Sequence, residues 1–279
     1  LKCARFIWGS KQMPEPILQM QGLDAHYGDF QALYGVDMHV DQGEVLSIIG
    51  ANAESTIIDA NDIDRIFEVI GAVTVTISGV SLRDGSSVVD MGGGSGGALL
   101  NQLGTVTIED STFISNTADS NGGAVSTSGT LTVRRSSFIG NSATGDKHGG
   151  AIATGGSTTI VDSTFDSNTS TDSSGAILQN GSNGDGLTIH GSTFVNNSSR
   201  NSGGAIRSQS APLLITNSTF SGNTSGQDGG AIRSLLNATT TIINSTITGN
   251  HAATVAGGGG LANDQGAVTM IPFPMAPTP

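Results

Sequence analysis

Phe113-Ile114-Ser115-Asn116 is followed by Gly122-Gly123-Ala124-Val125, and the pair returns as Phe138-Ile139-Gly140-Asn141 with Gly149-Gly150-Ala151-Ile152. It returns again at Phe165 to Asn168 with Ser174-Gly175-Ala176-Ile177, at Phe194 to Asn197 with Gly203-Gly204-Ala205-Ile206, and at Phe220 to Asn223 with Gly229-Gly230-Ala231-Ile232. The phenylalanines are 25, 27, 29 and 26 residues apart, and Ile247 with Asn250 continues the series. Two further columns hold their place before each aromatic residue. Ile or Val stands five residues earlier (Ile108, Val133, Ile160, Ile189, Ile215, Ile242), and Ser stands two earlier (Ser111, Ser136, Ser163, Ser192, Ser218, Ser245). Ile77, Val80, Leu82 and Gly85 occupy these places in an earlier, diverged copy, Gly96-Gly97-Ala98-Leu99 is the first glycine motif, and Gly258 to Leu261 a degraded last one. Insertions fall between the motifs and never inside them.

A period of this length is that of a solenoid coil. Alternation at Leu131 and Val133, and at Leu213 and Ile215, indicates strands. Glycine and β-branched residues disfavour helix. About three strands of three to five residues are expected per coil, near Gly-Gly-Ala-Ile, Leu-Thr-Ile and Ser-Thr-Phe. One coil cannot bury its own apolar side chains, but a stack can, with equivalent residues roughly 4.8 Å apart. The expected fold is all-β, a right-handed single-stranded parallel β-helix of about seven coils over residues 57–268, behind a short N-terminal β segment. Each Asn is expected at a turn, bonding the adjacent coil's backbone and tolerating left-handed geometry, with stacked amides binding a sugar chain as the functional alternative.

Composition bounds the chemistry. Of 279 residues 41 are Gly and only 12% are charged, which suits a regular solenoid better than a compact globule. The net charge of −12 opposes nucleic-acid binding, which needs a basic face. The single cysteine, Cys3, excludes an intrachain disulfide and a Cys-based zinc site. No apolar run reaches the ~20 residues of a membrane helix. Residues 1–12 are expected to be a disordered or non-native leader with no visible signal peptide, and 269–279 a Pro-rich tail.

The paired motifs resemble the repeats of bacterial polymorphic outer-membrane proteins. The segment from Ile57 through Phe67-Glu68-Val69 to Val75-Thr76-Ile77 resembles the first coil of related surface β-helix proteins. The resemblance covers about three quarters of the chain. It implies a pectin-lyase-like solenoid, export to the cell surface or beyond, and structural or adhesive roles with glycans or cell-surface components as partners. Oligomeric state is not encoded in it.

Residues 13–53 read differently. Pro16-Ile17-Leu18-Gln19, Ala25-His26-Tyr27-Gly28 and Gly43-Glu44-Val45-Leu46-Ser47-Ile48-Ile49-Gly50-Ala51-Asn52 resemble the start of the ATP-binding subunit of a branched-chain amino-acid ABC transporter. The resemblance implies Tyr27 against adenine and Gly50, Asn52, Ser55 and Thr56 as remnants of a phosphate loop. That loop lacks the second Gly and the Lys, and Glu54 would repel phosphate. No cofactor is expected, and the segment reads as a joined reading frame or as a cap on the solenoid.

Three weak chemical candidates remain. Asp110, Arg135 and Asp162 stand three residues before the Phe in successive coils, either as an acid–base patch or as an exposed salt ladder. Arg207 and Arg233, two residues beyond the Ala, face either an anionic glycan or water. His148, His190 and His251 sit at unequal offsets, form no ligand ladder and are expected at the surface; no metal site is expected, and Asn180 to Gly186 lacks the repeated Asp of a calcium array. A non-catalytic structural or adhesive module is the leading reading. A polysaccharide lyase or hydrolase is the alternative, and an inactive ABC-transporter remnant a remote third.

Overall fold

The computed structural model describes residues 18–27, 30–40, 45–88, 94–181, 185–254 and 257–272, with backbone alone over 18–40. The N-terminal part contains β1 (Leu18–Tyr27), β2 (Phe30–Val40), β3 (Val45–Ile49), β4 (Thr56–Asp59), β5 (Phe67–Val69), β6 (Thr74–Ser78), β7 (Ser81–Arg83), β8 (Ser86–Ser87) and β9 (Leu99–Asn101). From β6 onward each coil repeats one order of strands, so that the chain winds into a parallel β-solenoid of about eight turns. Among the described residues there is no helix.

Four faces run along the stack. Face I, nine strands from β3 and β6 to Ala267–Ile271, carries the Leu-Thr-Ile strands. Face II carries the Phe strands from β4 and β7 to Thr246–Thr248, and face IV the Ala-Ile strands from β5 and β9 to Leu261–Asn263. Face III consists of two-residue strands from β8 to His251–Ala252, a fourth strand per coil beyond the three expected. Two residues leave no periodicity to read, which is why this face was not anticipated.

Register explains the columns. Phe113, Phe138, Phe165, Phe194 and Phe220 pair in sequence and stack at 4.7–4.8 Å between ring centroids, within 9° of parallel. Such small rotation between rungs means an almost untwisted sheet, the kind that identical side-chain ladders stabilise. Val133 lies over Ile160 and Ile189 over Ile215, all fully buried with the Phe column and the alanines.

Polar ladders line the same interior. Asn141 Nδ2 donates to Asn168 Oδ1 at 2.9 Å and to the Phe113 carbonyl at 3.0 Å, while Asn168 Oδ1 also accepts the Asn141 backbone N–H. Links of this kind join Asn116 through Asn250. The left-handed residue of the turn is the one before the Asn: Ser115, Gly140, Ser167, Asn196, Gly222 and Gly249. That residue makes the corner, and the Asn that follows is left with its amide turned inward. The Ser column behaves likewise, since Ser136 Oγ accepts the Ser111 N–H and donates to the Arg134 carbonyl.

The two ends differ. β1 pairs antiparallel with β2, β4 and β5, covering the first rungs of faces II and IV, and β3 is the first rung of face I, with Ile48 opposite Ile77. The parallel sheet thus begins before residue 57 and runs on through Ile271. At the C-terminal end Ile247 and Leu261 are only half-buried and Met270 is exposed.

Candidate functional site

From β6 onward the chain passes from face I to face II through a left-handed residue in each coil: Gly79, Asp110, Arg135, Asp162, Gly191, Asn217 and Asn244. Gly, Asn and Asp tolerate that geometry best, so the acids of the Asp110–Arg135–Asp162 column have a conformational reason to be there. Arg135 is the exception at φ 44°. Its guanidinium binds Asp110 in bidentate fashion, Nε to Oδ1 at 2.8 Å and a terminal nitrogen to Oδ2 at 2.9 Å. That hydrogen bonding holds the Asp110 carboxyl below its usual range and raises Arg135. Asp162 reaches Arg135 only through its charge, without an ion pair. Both paired side chains are more than half exposed, so water competes for them.

Face IV carries a second group. Its column facing away from the core reads Leu100, Ser126, Ala153, Leu178, Arg207, Arg233 and Ala262, each in register with the next, with Ala153 and Leu178 themselves buried. Arg233 lies between Asp228 and Asp264, 3.7 Å from each. Among the described residues Arg207 has no carboxylate within 4 Å, and each of the other described arginines has one. Its Nε is buried without an acceptor, and burial lowers its pKa against the opposing charge of Asp172.

His148 belongs to the same neighbourhood. Expected at the surface, it is half-buried: an insertion ahead of the glycine motif brings it onto the corner before face IV. Its Nδ1 makes no hydrogen bond of normal geometry and lies 3.6 Å from Asp172 Oδ2, while the Ser173 backbone also draws on the ring. Burial pushes the imidazole down, Asp172 draws it up, and Arg207 and Lys147 push it down again. Asp172 Oδ1 accepts from Asn201 Nδ2 and Ser173 Oγ, and Gln227 extends the chain of polar groups to Asn201. Beside Asp172, Ser174 holds φ +66° in a column otherwise made of Gly96, Gly122, Gly149, Gly203 and Gly229, and its buried Oγ has no partner. Of the five buried, unpartnered side-chain atoms among the described residues, His148 Nδ1, Ser174 Oγ and Arg207 Nε fall here. Buried polar atoms are rarely left unpaired without a reason. The substitution of Ser174 into a Gly column was visible in the sequence; the burial of His148 was not. His190 and His251 are exposed, as expected.

The phosphate-loop remnant is folded on itself. Asn52 Oδ1 accepts the N–H groups of Glu54 and Ser55 and the Ser55 hydroxyl, Thr56 Oγ1 accepts the Ala51 N–H, and Gly50 N–H donates to Ser78. Backbone at Gly79 lies 2.3 Å from where a Gly50 Cβ would stand. These amides close a tight link between faces I and II. The Tyr27 side chain lies outside the described residues, as do residues 182–184 of the Asn180–Gly186 turn and the leader 1–12. Among the described residues no three His, Cys, Asp or Glu side chains are placed to hold a metal. No described helix is long and apolar enough to cross a membrane.

A family model described as the Chlamydia polymorphic membrane protein repeat matches residues 110–128, 191–209 and 217–234. These segments are similar to that repeat. Each runs from the left-handed corner or its neighbour through the Phe strand and the glycine motif to face IV. No solved structure matches the chain.

Proposed function

We propose that the chain is a non-catalytic structural and adhesive module of a secreted or cell-surface bacterial protein. The observation that carries this reading is the division between inside and outside. Every Phe from 113 to 220 and every Asn from 116 to 223 in the repeat motif is fully buried, so what recurs builds the rod. What varies faces outward, along a stack long enough to hold several different surface groups. Similarity to a surface-protein repeat supports the placement at the cell exterior. Partners are glycans or cell-surface components. In this reading residues 13–53 act as the N-terminal cap, supported by the pairing of β1 with β4 and β5 and of β3 with β6.

Beads coated with the full chain should adhere to glycan-bearing cell surfaces above uncoated beads, and soluble protein should compete. Adhesion no greater than that of uncoated beads would sink the adhesive half of the reading. The pairing of Asp110 with Arg135 keeps one alternative in view, a polysaccharide lyase or hydrolase. Pectin and alginate are expected to be left intact; turnover abolished by Asp110→Ala or Arg135→Ala would reverse the assignment.

A further inference from the structure

We infer that the outer surface of face IV holds a binding site for a glycan bearing a single carboxylate, seated on Arg207. The inference rests on the adhesive reading and supplies its ligand class. Arg207 is a half-buried cation with no carboxylate within 4 Å among the described residues, while its register neighbour Arg233 is already flanked by Asp228 and Asp264. A guanidinium in that position is matched by a planar carboxylate, which accepts two parallel hydrogen bonds. Arg207 Nε is itself buried, so a ligand meets the guanidinium through the part of the side chain that stays exposed.

The surroundings select the rest of the ligand. Asp172, Asn201 and Gln227 form a run of carboxylate and amide groups across successive coils, suited to sugar hydroxyls. An extended peptide finds no strand edge here, because Ile206–Gln209 is paired on both sides. Asp172, Asp228 and Asp264 together with the net charge of −12 repel a densely charged polyanion but tolerate one carboxylate placed on the cation. One isolated charge on an otherwise neutral sugar fits both conditions.

The test uses the full chain and sialyllactose, a trisaccharide with one carboxylate, against lactose, its neutral core, by saturation-transfer NMR. Sialyllactose is expected to bind and lactose not. Arg207→Gln should weaken binding on the order of tenfold or more, the loss of one charge-assisted contact. Arg207→Lys should retain part of it, and Arg135→Gln, on the corner between faces I and II, should leave it unchanged; melting curves establish that each variant is folded. No binding of sialyllactose overturns the proposal. So does equal binding by folded Arg207→Gln, or a preference for heparin. If coated beads adhere but sialyllactose neither binds nor competes, the Arg207 site falls while the adhesive reading stands.

Discussion

The Phe column and the outward column of face IV run the length of the same rod and obey opposite rules. Inside, five identical rings repeat at one spacing and one tilt, with asparagine amides beside them passing hydrogen bonds from coil to coil. Outside, equivalent positions read Leu100, Ser126, Ala153, Leu178, Arg207 and Arg233, with no type kept throughout. A buried position in a stack must match its neighbours above and below, so identity propagates along the axis. A position facing away from the core answers to whatever meets it there, covering chain at the buried Ala153 and Leu178 and solvent or a ligand elsewhere, so it changes from rung to rung. Recurrence therefore marks packing, and chemistry is to be sought where recurrence fails.

The largest effect that tests this contrast is at Phe165, mid-stack and fully buried between Phe138 and Phe194. Phe165→Ala should cost roughly 3–5 kcal/mol in a denaturant melt, since neighbouring coils are pinned by their ladders and cannot close the cavity. Its neighbour Thr164 faces outward and is half-exposed; Thr164→Ala should cost under about 1 kcal/mol. Equal losses would erase the distinction between the two columns.

Asn168 should come next. Its Oδ1 accepts from Asn141 N and Nδ2, and its Nδ2 donates to the Phe138 carbonyl and to Asn197 Oδ1, all buried and within 3.0 Å. Asn168→Ala leaves those partners unpaired, and after relaxation roughly 2–4 kcal/mol should be lost. A loss as small as that of Thr164→Ala would mean water replaces the amide, and the ladder is not a closed interior.

Position along the axis should matter as well. Ile247 continues the Phe column but is half-exposed at the open C-terminal end. In a solenoid, damage acts through the two adjacent interfaces, and here one is thin. Ile247→Ala should cost only about 1–2 kcal/mol, in proportion to the smaller area it buries. A cost equal to that of Phe165→Ala would mean the end is covered in solution.

How much was legible in the sequence follows the same division. The Ile108 to Ile242, Ser111 to Ser245 and Phe113 to Phe220 columns are spaced by the period itself, and each lies in register as the spacing implies. Face III was hidden because Thr117–Ala118 and its equivalents are too short for alternation to show. The Asn column marks the turn, but not which residue is left-handed there; Ser115, Gly140 and Ser167 make the corner and free the Asn amide for the ladder. For the candidate site, Arg207 and Arg233 were visible as a pair, but their difference was not. Asp228 and Asp264 come from separate loops to flank Arg233, and no spacing rule connects them to it. His148 was misplaced because its cover, the 170–174 corner of the next coil, is adjacent only in space.

Ser174 gives the smallest and sharpest test, because it is where the inner rule breaks next to the candidate site. At the equivalent glycines a Cβ would stand 2.1–2.3 Å from the carbonyl oxygen three residues on: Gly122 against Val125, Gly149 against Ile152, Gly203 against Ile206 and Gly229 against Ile232. Glycine is therefore the residue this corner favours, both for space and for its left-handed φ. A non-Gly residue in that region carries roughly 1–2 kcal/mol of strain, partly offset by the greater freedom glycine has when unfolded. If Ser174 is only a tolerated departure, Ser174→Gly should stabilise the chain by about 0.5–1 kcal/mol and leave glycan binding as it was. Its Oγ has no partner within the protein, so nothing would be lost with it. If the variant is instead less stable, the hydroxyl holds a bond to ordered water that the fold depends on. If stability rises while sialyllactose binding falls, the strain is maintained for the site around Asp172, and the position belongs with the outward chemistry although its side chain is buried.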